Sequence, residues 1–217
     1  MGTGTADMAR PETAHRHEKP TPAMNDPAGN EPAGRSEVAA WRRSMRVHLL
    51  DRRTRMPVKE RDARSARIAA SLDRVLDRIA GRVIGVYWPI KGEPNLYPWI
   101  RRLAETGVAF ALPVVIRKGW PLEFRRWRPG EALERGFWNI PVPANGPAVL
   151  PDVLVAPLVG FDEERYRLGY GGGFYDRTIV AAPNSPQIIG VGFEHCRLPT
   201  IYPQPHDIRM DTIVNDA

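Results

Sequence analysis

Hydrophobic side chains recur at two spacings along this chain, and each spacing predicts its own kind of element. Trp41, Met45, Leu49 and Leu50 recur at helical intervals, which predicts a helix over residues 37–54. A second helix is predicted over residues 59–80. Its apolar face consists of Ile68, Leu72, Val75, Leu76 and Ile79. Ser36 is the predicted N-cap of the first helix, and Gly81 is the predicted stop of the second.

Short apolar runs rich in β-branched residues predict buried strands. The strong runs lie at 83–89, 108–112, 153–156 and 188–193, and weaker ones lie at 122–127 and 212–214. Helices are predicted at 98–106 and 173–181, and residues 129–148 form a turn-rich segment. Strands that alternate with helices indicate an α/β fold with a parallel or mixed sheet covered on both faces.

The first 34 residues differ in composition from the rest of the chain. They are dominated by proline, glycine, alanine and threonine, and they show no hydrophobic period. Such a segment buries too little apolar surface to offset its ordering entropy. We therefore expect residues 1–34 to be a disordered tail and residues 35–217 to form one domain.

Charge and composition narrow the class of protein. The net charge of +6 favours anionic partners in general, such as nucleotides, acidic metabolites or nucleic acid. No apolar run reaches the roughly 18 residues needed to span a membrane, and the N-terminus lacks the apolar region of a signal peptide. The one cysteine, Cys196, fits a reducing cytoplasm. We expect a cytoplasmic monomer without membrane contact.

The stretch RLGYGGGFYDR, residues 167–177, places four glycines within five positions between a predicted strand and a predicted helix. Glycines let main-chain N–H groups approach an anion, and a helix N-terminus adds partial positive charge. Neither the Walker pattern nor the dinucleotide G-x-G-x-x-G spacing is present. A tight structural turn is the alternative, but the flanking Arg167 and Asp176 favour phosphate and Mg²⁺ binding.

Five stretches, in order, resemble the 5-formyltetrahydrofolate cyclo-ligase family, also called methenyltetrahydrofolate synthetases. They are RRSMR (42–46), GVYWPIKGEPNL (85–96), FWNIPVP (137–143), PDVLVAPLVGFDEERYRLGYGGGFYDRTI (151–179) and PHDIRMDTIV (205–214). The resemblance covers residues 37–216. It implies a three-layer α/β sandwich of the NagB/RpiA/CoA-transferase type. It also implies ATP-dependent closure of 5-formyltetrahydrofolate to 5,10-methenyltetrahydrofolate through a phosphorylated formyl group, with ATP and Mg²⁺ required.

The resemblance also implies roles for particular residues. Catalytic roles fall to Arg167, Tyr175 and Asp176. The implied ATP site consists of Arg42, Arg46, Arg167, Gly169, Gly171, Gly172, Gly173, Phe174 and Tyr175. Folate contacts fall to Glu93, Trp138 and Tyr175, and metal ligation falls to Asp176 and Asp207. The chain departs from some members at Gly172, where they carry lysine, and at 94–96, which follow the glutamate.

Several of these residues have plainer alternatives. The two helix arginines could be solvated surface charges, Asp207 could be a turn residue, Trp138 could belong to the core and Glu93 could be a solvated loop acid. For the whole chain, a non-catalytic nucleotide- or folate-binding protein is one rival. A nucleic-acid-binding protein that uses the arginine-rich helices is another, although acids interleave the arginines and no nucleic-acid motif is present.

Overall fold

The structure is a computed structural model, and it describes residues 34–76 and 79–217 together with Met1. The predicted disorder of residues 1–34 therefore lies almost entirely outside the described residues. The helices are α1 (Arg35–Thr54), α2 (Val58–Val75), α3 (Tyr97–Glu105) and α4 (Phe174–Ala181). None of the described helices is long and apolar enough to cross a membrane.

Two predicted helix ends are wrong. The N-cap of α1 is Gly34 rather than Ser36, and Ser36 lies inside the first turn. Helix α2 ends at Val75 rather than at residue 80, because Leu76 leaves the helical region at φ −97° and ψ 68°. Leu76 is nevertheless buried, so the apolar pattern predicted burial correctly beyond the end of the helix.

Eleven strands are present in the described chain. They are β1 (Val83–Gly85), β2 (Ala109–Val114), β3 (Glu123–Trp127), β4 (Leu133–Arg135), β5 (Pro141–Pro143), β6 (Ala148–Val149), β7 (Val153–Pro157), β8 (Gly160–Phe161), β9 (Arg167–Leu168), β10 (Gln187–Val191) and β11 (Thr212–Val214). Every predicted strand is present. The segment predicted as turn-rich also contains the β4–β5 hairpin, and a second small hairpin, β8–β9, precedes the glycine loop.

Seven strands form the central sheet, in the order β11-β10-β7-β1-β2-β3-β6. The first five run parallel, and β3 and β6 are added antiparallel at one edge. Strand β1 ends at Gly85 rather than at residue 89, although Val86 still donates to the Ala111 carbonyl at 2.9 Å. The sheet is mostly parallel, which confirms the parallel or mixed sheet predicted from the sequence.

Helices cover both faces of this sheet. Because side chains alternate across each strand, every strand contributes to the packing on both faces. In β7, Val153 and Val155 enter the larger core, which also contains Leu49 of α1, Leu72 of α2 and Ile100 of α3. Leu154 points to the opposite face, where a smaller cluster includes Ala111, Phe124 and Ile179 of α4. The three-layer architecture is therefore confirmed, with three helices on one face and α4 on the other.

Candidate active site

Arg42 is buried and holds the C-terminal segment against α1. Its Nε donates to the Ile201 carbonyl at 2.9 Å and its Nη2 donates to the Tyr202 carbonyl at 3.1 Å. The same guanidinium forms an ion pair with Asp207. Arg42 is only 7% exposed, so its alternative as a solvated surface charge is wrong.

Arg46 lies one turn after Arg42 and contacts the glycine loop. Its Nε donates to the Gly169 carbonyl at 2.7 Å. A Cβ at Gly171 would lie 3.4 Å from the guanidinium carbon of Arg46, so the loop backbone passes directly against this cation. Burial, and then the nearby charge of Arg42, lower the pKa of Arg46 from its ordinary value.

The glycine loop presents main-chain N–H groups that have no partner among the described residues. Gly171 and Gly173 have φ values of +91° and +62°, a region that favours glycine. Two of the loop's carbonyls are engaged by Arg177: that of Gly172 accepts from its side chain at 2.6 Å, and that of Gly173 accepts from its amide at 3.1 Å. Gly173 is the N-cap of α4, so the loop leads into the positive end of that helix.

Arg167 and Asp176 form a largely buried ion pair beside the loop. Nη2 of Arg167 donates to Oδ2 of Asp176 at 2.8 Å, and the guanidinium lies 5.3 Å from the ring centroid of Tyr175. Two polar atoms here, Nε of Arg167 and the hydroxyl of Tyr175, are buried without a hydrogen-bond partner in the described chain. Buried polar groups usually have partners, so this spot suits a polar ligand.

Glu93 lies beyond the carboxyl end of β1 and is buried, so its alternative as a solvated loop acid is wrong. Its Oε2 accepts from the Ile90 amide at 2.8 Å, and its Oε1 accepts from the Tyr170 hydroxyl at 2.7 Å. Nη2 of Arg53 lies 4.0 Å from Oε1. Burial raises the pKa of Glu93 above its ordinary value, although the charge of Arg53 opposes the shift.

Trp138 lies in an exposed turn rather than in the core. The residue is 61% exposed and has a φ of +52°, which is uncommon for a bulky side chain. Its ring makes an edge contact with Phe174, with the ring centroids 5.6 Å apart. Phe174 begins α4, so an exposed aromatic side chain lies directly beside the end of the glycine loop.

The two aspartates predicted to hold Mg²⁺ are both engaged by arginines. Oδ2 of Asp207 accepts from the Gln204 amide at 2.7 Å as well as from Arg42. Oδ1 of Asp176 has one long contact, 3.4 Å from the Ile208 amide. Among the described residues, no group of three or more metal-ligand side chains converges. A Mg²⁺ ion that arrives with nucleotide phosphates needs only one or two protein carboxylates, so the metal-binding role of Asp176 and Asp207 stays a prediction.

Sequence reasoning missed three polar residues of this region. Arg53 is 1% exposed, and its Nε and Nη1 donate to the Lys91 and Leu158 carbonyls at 3.0 Å. Tyr170 accepts from Arg53 and donates to Glu93, and Arg177 donates to the loop. Arg53 follows Arg46 by seven positions and so lies on the same helix face. That spacing could have identified Arg53 from the sequence. No local spacing could have identified the contact between Tyr170 and Glu93, because it joins distant segments of the chain.

Residues 38–216 match the model of the 5-formyltetrahydrofolate cyclo-ligase family. A 5-formyltetrahydrofolate cyclo-ligase from Mycolicibacterium smegmatis is 30% identical over 178 residues, which are 78% of this chain and 91% of that protein. One from Escherichia coli is 36% identical over 107 residues, covering 46% of this chain and 59% of that protein.

Two solved structures share the fold. A 5,10-methenyltetrahydrofolate synthetase from Aquifex aeolicus superposes with a TM-score of 0.71 at 26% identity, covering 81% of this chain and 89% of that chain. One from Mycoplasma pneumoniae superposes with a TM-score of 0.68 at 23% identity, covering 81% and 99%. Because the family model spans nearly all of the described domain, this chain belongs to the 5-formyltetrahydrofolate cyclo-ligase family.

Proposed function

We propose that this protein converts 5-formyltetrahydrofolate to 5,10-methenyltetrahydrofolate and, in the same reaction, ATP to ADP and phosphate. Family membership supplies the reaction. One structural observation supports it most strongly. A loop with three unpartnered N–H groups lies between Arg46 and the Arg167–Asp176 pair, and it is hydrogen-bonded to Glu93 through Tyr170. A phosphate site and a site for a polar substrate are thereby adjacent.

The chemistry requires activation of a poor leaving group. The formyl oxygen on N5 attacks the γ-phosphorus of ATP, the bond to ADP breaks, and an iminophosphate forms. N10 then attacks the formyl carbon and loses its proton, and the carbon–oxygen bond breaks to release phosphate. No covalent bond to the protein is needed, so the protein acts by positioning, charge neutralisation and exclusion of water.

The glycine loop and the arginines bind the phosphate groups of ATP. The N–H groups of Gly171, Gly172 and Gly173 bind phosphate oxygens, and the start of α4 at Phe174 adds its partial positive charge. Arg46, held at the Gly169 carbonyl, faces the same loop. With glycine at 172, no lysine contributes charge from inside the loop, so the arginines carry that task.

Arg167 is the group best placed to stabilise charge on the transferred phosphoryl group. It is held by Asp176 and by the ring of Tyr175, and its Nε has no partner in the described chain. A cation fixed in advance stabilises developing charge without reorganisation cost. Arg42 acts indirectly, because its hydrogen bonds hold Asp207 and the C-terminal segment beside the site.

Magnesium is expected to enter with ATP. Asp176 would hold it through Oδ1, and Asp207 would contribute its less occupied Oδ1, directly or through water. A bound Mg²⁺ ion neutralises phosphate charge. Asp176 keeps Arg167 in position in addition to this role, because its other carboxylate oxygen accepts the arginine hydrogen bond.

The folate end falls to Glu93, Tyr175 and Trp138. The carboxylate of Glu93 accepts hydrogen bonds from the polar edge of the pterin. The buried hydroxyl of Tyr175 donates to the substrate, and its high pKa, which burial causes, keeps it protonated at neutral pH. The exposed ring of Trp138 provides a flat apolar wall.

A direct assay tests this proposal. Purified protein is mixed with 5-formyltetrahydrofolate, Mg²⁺ and ATP, and absorbance of the methenyl product is followed together with phosphate release. We expect both signals to grow in equal amounts, and neither to grow when ATP or the folate is omitted. Binding of either substrate without turnover would support the non-catalytic rival. Binding of nucleic acid that weakens steeply with salt would support the other rival.

A further inference from the structure

Tyr170 and Glu93 differ sharply in exposure although they share a hydrogen bond. The side chain of Glu93 is only 2% exposed, whereas Tyr170 is 38% exposed. The Tyr170 hydroxyl lies 2.7 Å from Oε1 of Glu93. The carboxylate is therefore almost closed to solvent, and one of its oxygens is bound to a side chain that solvent does reach.

The other partners of Glu93 belong to fixed parts of the fold. Oε2 accepts from the main chain at Ile90. Arg53 lies 4.0 Å from Oε1 and donates to the Tyr170 hydroxyl, but it is also held by two main-chain carbonyls and is 1% exposed. Tyr170 is the exposed member of this group, so it is the side chain that can leave without opening the core.

Tyr170 is also part of the glycine loop. It lies between Gly169, whose carbonyl accepts from Arg46, and Gly171, which has a φ of +91°. Glycines on both sides let the backbone turn about this residue. While its hydroxyl is bound to Glu93, the position of the loop is tied to the folate end of the site. Lys91 and Arg53, which lie 5.4 and 5.7 Å from the ring centroid, stabilise that placement.

We infer that Tyr170 is a positioning residue that latches the glycine loop onto Glu93 in the free enzyme and couples the two substrate sites. Folate takes over the hydrogen bond to Glu93, Tyr170 leaves, and the loop becomes free to close on the ATP phosphates. The inference rests on the proposed function. It makes folate binding and ATP binding mutually favourable, because each selects the unlatched loop.

The substitution Tyr170→Phe tests this by removing one oxygen atom. Because the hydroxyl's hydrogen bonds to Glu93 and Arg53 are both lost from the latched state, we expect the protein without nucleotide to bind 5-formyltetrahydrofolate about tenfold more tightly. Tyr166→Phe removes the same atom from a half-buried tyrosine in the preceding hairpin and serves as the matched control. Tyr170→Met, which keeps bulk without a hydroxyl, provides a second variant.

The second readout is the coupling between the sites. In the unmodified protein, saturating 5-formyltetrahydrofolate should tighten binding of a non-hydrolysable ATP analogue with Mg²⁺ by about fivefold or more. This factor should fall to within about twofold of unity in Tyr170→Phe and stay unchanged in Tyr166→Phe. Unchanged or weaker folate binding in Tyr170→Phe, or an unchanged coupling factor, would overturn the inference. Failure of the unmodified protein to bind folate would instead count against the proposed function.

Discussion

Arg42 and Asp207 lie 165 positions apart and form an ion pair in which each side chain is about one-tenth exposed or less. The pair joins helix α1 to the segment before the last strand. Arg42 also donates to two main-chain carbonyls of the preceding turn. Removal of Asp207 would therefore leave a buried guanidinium without its counter-ion.

Asp207→Ala should lower the free energy of unfolding by about 3–5 kcal/mol, the usual cost of breaking a buried pair from one side. Chemical denaturation of the variant measures this change. Glu105→Ala breaks the exposed Arg101–Glu105 pair and should change stability little. Equal effects in the two variants would show that the Arg42–Asp207 pair does not stabilise the fold.

Asp176→Asn should abolish turnover while the fold survives. The amide keeps an acceptor for Arg167 but loses the negative charge that Mg²⁺ and the arginine require. We expect product formation to fall at least about a hundredfold, with the circular dichroism spectrum unchanged. Asp73→Asn, which alters a part-exposed acid paired with Arg102, is the control and should retain activity. Wild-type turnover in Asp176→Asn would remove Asp176 from the site.

Glu93→Gln should change both the pH dependence of stability and the affinity for folate, and the two effects can be measured separately. Because burial raises the pKa of Glu93 in the folded protein, the folded state favours the protonated acid. The stability that Glu93 contributes is therefore complete below its unfolded pKa and is lost as pH rises through the folded pKa. The neutral glutamine avoids this loss, so the variant should gain stability relative to wild type as pH increases above about 4.5.

Folate binding by Glu93→Gln should weaken, because the carboxylate is the stronger acceptor. Thermal melts from acid to neutral pH and folate titrations at pH 7 measure the two effects separately. An unchanged folate affinity would refute the role assigned to Glu93. A stability difference that does not change with pH would show that burial does not disfavour the ionised form of the Glu93 carboxylate.

Trp138→Ala should raise the KM for folate and leave stability almost unchanged. The ring is 61% exposed and its backbone has a φ of +52°, so its removal creates no cavity in the core. We expect a KM increase of about tenfold from the lost contact with the ligand, measured at saturating ATP. Trp120→Ala, at another exposed tryptophan, is the control. Equal KM values in both variants would show that Trp138 does not touch the substrate.

Local patterns predicted most of the sheet. The apolar runs at β1, β7 and β10 are buried on both faces, and a continuous hydrophobic run is the expected signature of such strands. The hydrophobic pattern failed where buried residues continue beyond the end of a helix or a strand. Leu76 is buried but not helical, and residues 86–87 are buried beyond the end of β1, so hydrophobicity overestimated both elements.

The site was predictable only in part from the sequence. The glycines and their flanking Arg167 and Asp176 lie close together along the chain, so the sequence predicted a phosphate site there, and this stays a prediction. The contact between Tyr170 and Glu93 spans 77 positions, and no local period encodes it. The burial of Arg42 likewise depends on the distant C-terminal segment, which is why the sequence left its role open.

The fate of the formyl oxygen shows whether ATP phosphorylates the formyl group. 5-Formyltetrahydrofolate labelled with ¹⁸O in the formyl group is incubated with the protein, Mg²⁺ and unlabelled ATP, and the released phosphate is analysed by mass spectrometry. We predict methenyl product together with one ¹⁸O atom in each phosphate, because the formyl oxygen attacks phosphorus and departs with it. Phosphate without label, or methenyl product without ATP, would contradict it.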